Sequence, residues 1–129
     1  MGKEEKKPAA KVLSREDIFK VEDRQFKDVS VPEWGGVIRV QSMTGKERED
    51  WENSITETDR KGETKINTKH IWAKLVMACA VDETGKRLFT EGDVPVLADK
   101  NVAALTRVFK AAQRLNGLAP GDVEELAGN

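Results

Sequence analysis

The chain has 129 residues, 35% of them charged, and a formal net charge of −1 at pH 7. This length fits one domain. The balanced charge and the lack of tyrosine argue against a basic, aromatic surface for nucleic acid. No apolar stretch is long enough to cross a membrane. The single cysteine, Cys79, cannot form an internal disulfide, which favours a reducing cytoplasm.

The N-terminus is charged and poor in large apolar side chains. We therefore expect residues 1–13 to form a disordered tail, and residues 14–129 to form one domain. Ser14 is a suitable N-cap for a helix, because acidic residues follow it in the first turn, ending at Asp17. The few apolar residues after this start support a helix of only one or two turns.

A β-hairpin is predicted next. Residues 26–31 and 37–40 are rich in β-branched side chains, and a Pro/Gly loop separates them. Gly35 and Gly36 are expected to supply the positive φ angles of the reversal. Because an isolated hairpin is marginally stable, it must pack on helices, pair with another strand or pair with another subunit.

The clearest helix start follows the hairpin. Thr44 and Glu47 have the spacing of a capping box, in which each side chain bonds the backbone of the other residue. The helix is expected to run to about residue 58, with Trp51 and Ile55 on its narrow apolar stripe.

A polar loop over residues 59–64 is expected to lead into a third helix at residues 67–80. Asn67 or Thr68 would cap this helix, whose side chains are so apolar that it is expected to be buried almost all round. A turn with Gly85 in a left-handed position would follow, and Leu88 and Phe89 would then anchor the chain to the core.

Two more helices are predicted towards the C-terminus. A short one at residues 94–97 has Thr90 and Asp93 as alternative caps. A long one begins near Asn101, carries apolar residues at three- and four-residue steps, and ends at residues 116–117, with Gly117 in a left-handed position.

Together these segments predict an α+β fold, mostly helical, with one N-terminal β-hairpin and four or five helices. The last helix is a turn or two at residues 120–126, where Pro120 can occupy the first position. The edge of the hairpin and the apolar helix at residues 67–80 could be completed by a neighbouring copy, so a homo-oligomer is an open alternative.

The sequence carries no recognisable catalytic chemistry. His70 and Cys79 are the lone histidine and cysteine, too few for a zinc site within one chain. The glycines form no phosphate-binding loop, and the carboxylates lie among lysines and arginines. We therefore expect no enzyme and no catalytic, cofactor-binding or metal-binding residues.

Three groups of segments, taken in chain order, carry a resemblance to a known family. They are Val31-Pro32-Glu33-Trp34-Gly35-Gly36-Val37-Ile38-Arg39-Val40 with Met43-Thr44-Gly45-Lys46-Glu47-Arg48; Trp72-Ala73-Lys74-Leu75-Val76 with Val81-Asp82-Glu83-Thr84-Gly85-Lys86-Arg87-Leu88-Phe89; and residues 103–109 and 113–118 with Asp122-Val123-Glu124-Glu125-Leu126. With these segments the chain resembles the small tail assembly chaperones of long-tailed bacteriophages and prophages.

The resemblance implies a non-enzymatic assembly factor in the cytoplasm of the bacterial host. Such proteins bind the tape measure protein, keep it soluble, help recruit the tail tube protein and leave before the virion is complete. Many members also have a longer form made by ribosomal frameshifting, and this chain looks like a short form. The charge balance, the low aromatic content and the short apolar stretches predict no nucleic-acid and no membrane partner. The alternative is a structural minor tail protein that remains in the virion.

Four residues are candidates for contact with a partner. Trp34 lies in the hairpin loop, where it could fold back to close the hairpin or serve as an exposed anchor. Phe89, Val94 and Leu97 surround the short helix, where they could face a partner or fill the core.

Overall fold

The computed structural model describes residues 10–118. It confirms the predicted α+β class with an N-terminal hairpin. The last predicted helical turn, at residues 120–126, lies outside the described residues, as do the first nine residues of the predicted tail. The helices are α1 (Arg15–Lys20), α2 (Gly45–Ser54), α3 (Ile71–Cys79), α4 (Val94–Ala98) and α5 (Val102–Leu115), and the strands are β1 (Phe26–Val31), β2 (Gly36–Gln41), β3 (Thr56–Thr58), β4 (Thr64–Ile66) and β5 (Ala80–Val81).

The main sheet has three antiparallel strands in the order β1-β2-β5. Asp28 pairs with Arg39 across the first ladder, and Val40 pairs with Ala80 across the second. The buried residues Val29, Val31 and Val40 lie on one face, against α5. Because successive strand residues alternate sides, Phe26, Asp28, Val37 and Arg39 lie on the opposite face, which we call the outer face.

The hairpin turn is a short 3-10 helix, Pro32–Trp34, that ends at Gly35 with φ of 83°. Gly36 is instead the first residue of β2 and does not have a positive φ. The prediction that both glycines supply the reversal is therefore right for Gly35 and wrong for Gly36. One left-handed residue is enough because the 3-10 turn provides the rest of the chain reversal.

The core is centred on α3 and α5, which pack against each other and against the inner face of the sheet. The Trp72 and Phe109 rings meet at a centroid distance of 5.7 Å with a tilt of 40°. The predicted start of α5 near Asn101 is confirmed. Asn101 is its N-cap, since Asn101 Oδ1 accepts from the amides of Ala103 and Ala104 at 2.8 and 3.2 Å. The helix ends as predicted, at Asn116 and a left-handed Gly117.

The capping box that starts α2 is present, but the helix ends at Ser54 and not near residue 58. The hydroxyls of Ser54 and Thr56 donate to the carbonyls of Trp51 and Glu52, at 2.6 and 2.7 Å. These bonds satisfy carbonyls at the end of the helix, and the chain then leaves it to form β3.

The segment predicted as a polar loop is the turn of a second hairpin, β3–β4. Asp59 Oδ1 accepts from the amides of Lys61 and Glu63, both at 2.9 Å, and the Gly62 amide donates to the Asp59 carbonyl at 3.0 Å. Gly62 has φ of 84°. Asp59 therefore organises the reversal through its side chain as well as its backbone.

The limits predicted for the apolar helix are wrong at both ends. Its N-cap is His70, in a left-handed conformation with φ of 56°, and neither Asn67 nor Thr68 has that role. The Asn67 side chain instead accepts from the Lys69 amide at 3.0 Å, within a turn that precedes the helix. At the other end, Ala80 is in β5 rather than in the helix.

Candidate protein-binding surfaces

A cleft of about 320 Å³ lies where the N-terminal end of α3 meets α4 and α5. We call it the α3–α4–α5 cleft. One wall is the half-buried Trp72, whose ring is held by Phe109. The cleft is lined by Thr68, His70, Ile71, Trp72, Ala73, Ala98 and Leu105.

The lining of this cleft is mainly apolar. The indole nitrogen of Trp72 is buried and has no hydrogen-bond partner among residues 10–118. The N-terminus of α3 borders the cleft without a side-chain cap and without an acidic residue in its first turn. The partial positive charge of that helix end is therefore not compensated locally. The cleft can accept apolar side chains, and an acidic group would be tolerated beside them.

The structure divides the four candidate contact residues into two pairs. Val94 and Leu97 are buried in the core beneath α4, whereas Trp34 and Phe89 are half-buried and pack against the core from its edge. Within the same short helix, Ala98 faces the α3–α4–α5 cleft. The four residues therefore do not form one surface, and α4 contributes to the cleft through a residue that the sequence did not single out.

Trp34 lies in the hairpin turn, which an ion pair joins to α5. Arg107 donates two hydrogen bonds to the Glu33 carboxylate, at 2.7 and 3.0 Å. These bonds lower the pKa of Glu33 to about 2. The ion pair fixes the position of the turn beside α5, and the Trp34 side chain packs on the core next to it.

Cys79, one of the two residues considered for chemistry, lies in the core. Cys79 is buried, and burial raises the pKa of its thiol to about 12. The Asn116 side-chain amide lies 3.4 Å from its sulfur. A thiol that stays protonated in this way is a poor nucleophile. Across residues 10–118, no three His, Cys, Asp or Glu side chains are grouped so that they could hold a metal ion.

A second cleft, of about 390 Å³, opens on the outer face of the sheet. Arg39 donates two hydrogen bonds to Asp28, at 2.8 and 3.0 Å, and its guanidinium lies 4.3 Å from the centre of the Phe26 ring. The hydrogen bonds lower the pKa of Asp28. This outer-face cleft is lined by Asp28, Val37, Ile38, Arg39, Val81, Asp82, Glu83 and Leu88.

Leu88 was expected to anchor the turn after β5 in the core, and this expectation is wrong. Its side chain is 42% exposed and lines the outer-face cleft. The Leu88 amide donates to the Ala80 carbonyl at 3.0 Å, so the backbone rather than the side chain holds this segment.

Helices packed on one face of a small antiparallel sheet, with clefts on both sides of the domain, define a small α+β fold. None of the helices in the described part of the chain is long and apolar enough to cross a membrane. The sequence model of a family described as phage tail assembly chaperone matches residues 10–129, and the chain belongs to this family.

The fold agrees with that assignment. The structure of the bacteriophage HK97 tail assembly chaperone is similar to this one with a TM-score of 0.54 and 19% sequence identity, over 78% of this chain and 88% of that chain. A search of curated proteins returned no match.

Proposed function

We propose that this chain is a non-enzymatic chaperone that binds the tape measure protein during phage tail assembly and keeps it soluble while tail tube subunits polymerise. Membership of the tail assembly chaperone family supports the general role. The finer role, with its client, rests on the resemblance described above and on one structural observation, the α3–α4–α5 cleft.

The cleft suits a helical client. Amphipathic helices bind by placing apolar side chains at helical spacing into grooves of this kind. Ile71, Trp72 and Leu105 supply an apolar lining, and the uncompensated end of α3 favours a client helix that carries a carboxylate beside its apolar stripe. Because a tape measure protein is long, weak contacts of many chaperone copies would add up along it.

The proposal also includes where the chain acts and whether it remains in the finished particle. The chain would act in the cytoplasm of the bacterial host, could also help to recruit the tail tube protein, and would be absent from the finished particle. Trp34 and Phe89 keep part of their surface exposed and are proposed as secondary contacts. Val94 and Leu97 are buried, so they would act by holding α4 and Ala98 in place.

Co-expression with the tape measure protein tests the proposal. We expect the client to be soluble and to co-purify with the wild-type chain. Ala98→Lys should reduce both, since it places a charge in the cleft. The matched control is Val96→Lys on the same helix, where the side chain is 65% exposed and no cleft residue is changed. Thermal denaturation of both variants checks that they fold.

Two results would contradict the proposal. If the client is equally insoluble with and without the chain, the chaperone role towards this client is wrong. If the chain remains in purified particles, the alternative of a structural minor tail protein replaces it. If the client is solubilised equally by Ala98→Lys and Val96→Lys, the client is bound elsewhere, and Trp34→Ala becomes the informative variant.

A further inference from the structure

Helix α1 is formed without packing on the core. None of its residues is buried. Its first turn is held by a reciprocal pair of bonds, in which Asp17 accepts from the Ser14 amide at 3.0 Å and Ser14 Oγ accepts from the Asp17 amide at 3.1 Å. Lys11 adds an ion pair to Asp17 at 3.3 Å. Local bonds therefore hold a helical turn here, although no contact within residues 10–118 buries any of its residues.

This segment exposes five large apolar side chains within eleven residues. We call residues 11–21 the N-terminal arm. Phe19 is 70% exposed, and the Arg15 guanidinium lies 4.6 Å from the centre of its ring. Lys20 has no ion pair within 4.0 Å among the residues that the structure describes. Apolar groups gathered in this way mark interaction sites more often than single exposed residues do. The exposed apolar residues of the arm are Val12, Leu13, Ile18, Phe19 and Val21.

The outer-face cleft has the complementary character. Its apolar part includes Val37 and Leu88, which are 63% and 42% exposed. Two of its three carboxylates are already used inside the molecule: Asp28 by Arg39, and Asp82 by the amides of the following turn. Glu83 lines the same cleft and interacts electrostatically with Arg39, without a hydrogen bond or an ion pair within 4.0 Å across residues 10–118. The cleft thus combines an apolar floor with one carboxylate that accepts no hydrogen bond among the described residues.

We propose that the N-terminal arm of one copy of this chain docks in the outer-face cleft of a second copy. Phe19 would cover Val37 and Leu88, and Lys20 would lie beside Glu83. The charge complementarity selects the occupant, because the arm presents an apolar ring between Arg15 and Lys20 and the cleft presents apolar side chains beside the Glu83 carboxylate. If the exchange is reciprocal, the pair closes as a two-fold dimer.

Sedimentation equilibrium of the full chain over a wide concentration range tests this contact. We expect concentration-dependent association that Phe19→Ser weakens about tenfold or more, because it removes the aromatic anchor. The control is Val102→Ser, which removes an apolar side chain that is 65% exposed at the start of α5. It should leave the dissociation constant unchanged. Both variants should keep the wild-type circular dichroism spectrum.

A charge exchange identifies the occupant of the cleft. Lys20→Glu and Glu83→Lys should each weaken self-association about fivefold, through a lost attraction and a new repulsion between surface charges. An equimolar mixture of the two variants should associate more tightly than either alone, since each arm then meets a cleft of opposite charge.

Three results would overturn the proposal. A wild-type chain that stays monomeric at every concentration excludes a second copy as the occupant, even if the arm covers its own sheet or binds another protein. Association that Phe19→Ser leaves unchanged places the interface elsewhere. If each single charge variant weakens association but their mixture associates no more tightly than either alone, Lys20 and Glu83 do not contact each other directly.

Discussion

Helices α1 and α5 begin in the same way and end up in opposite environments. Each has a polar N-cap whose side chain accepts from amides in the first turn, Ser14 for α1 and Asn101 for α5. Yet α1 buries nothing, whereas α5 lies between α3 and the sheet. The buried residues of α5 are Ala104, Leu105, Val108, Phe109, Ala111, Ala112 and Gln113.

The difference shows what a cap can and cannot do. A cap satisfies amides that the helix leaves without partners, and so it defines where a helix begins. It does not make a short helix stable, because most helix stability in proteins comes from tertiary packing. Helix α5 contributes to the global stability of the domain through its buried face. Helix α1 presents side chains to the surroundings and can be changed at little cost to the fold.

Truncating one phenylalanine in each helix should give the largest contrast. Phe109 is 1% exposed and packs on Trp72. Phe109→Ala should lower the free energy of unfolding by about 3–5 kcal/mol, because it leaves a cavity in the core. Phe19→Ala, at a side chain 70% exposed, should change it by no more than about 0.5 kcal/mol. Urea denaturation of dilute samples, followed by tryptophan fluorescence, measures both.

A low protein concentration is required because self-association would add stability that depends on concentration. If Phe19→Ala is as destabilising as Phe109→Ala in dilute solution, α1 is part of the core in solution. The contrast between the two helices would then be lost, and so would the arm as a free element.

The features predicted well from the sequence are those that a few neighbouring residues encode. The predicted N-cap Ser14 and the predicted capping box at Thr44 are present, and α5 begins next to Asn101, near its predicted start. Gly85 and Gly117 are left-handed as expected. These predictions depend on bonds between a side chain and the backbone two or three residues away, so no knowledge of the tertiary fold is needed.

The features missed depend on partners that are distant in the chain or on strands too short to show a pattern. Ala80 belongs to β5 because Val40 of β2 pairs with it, and the apolar run around it would fit a buried helix equally well. Strands β3 and β4 have only three residues each and no apolar alternation. The clue to their hairpin was the pair Asp59 and Gly62, which together favour a turn.

The candidate contact residues show the same limit. Large apolar residues near a loop or a short helix can face either way, and the sequence of α4 does not say which side packs on the core. The structure puts Val94 and Leu97 on the buried side, and Ala98 in the α3–α4–α5 cleft. A small residue such as Ala98 gives no signal of its own, because a cleft is created by what surrounds it.

Removing the caps should give a smaller contrast of the same kind. Asn101→Ala should lower the free energy of unfolding by about 1 kcal/mol, since two amides of a packed helix lose their acceptor. Ser14→Ala should leave that free energy unchanged and abolish the helical turn of α1 only. Urea denaturation measures the first effect, and backbone chemical shifts of residues 15–20 measure the second. Equal losses of global stability in the two variants would contradict the independence of α1.

The smallest expected effect concerns the ion pair that joins the first hairpin to α5. The pKa of Glu33 is lowered from 4.5 to about 2 by the hydrogen bonds from Arg107. Because the pKa is lower in the folded state, the pair stabilises the fold above pH 4.5, and this contribution is lost as the pH falls to about 2. Arg107→Ala should raise the pKa of Glu33 towards its ordinary value, as read from an NMR titration of its side chain.

The stability profile should follow the same sign. Between pH 5 and pH 2, the free energy of unfolding should fall less steeply in Arg107→Ala than in the wild type. Lys110→Ala serves as the control, because it removes an exposed cation of α5 that is not paired with Glu33. The effect should be small, since both side chains of the pair are partly solvated, with 41% and 33% exposed. An unchanged Glu33 pKa in Arg107→Ala would mean that packing of Trp34, and not this ion pair, holds the hairpin turn against α5.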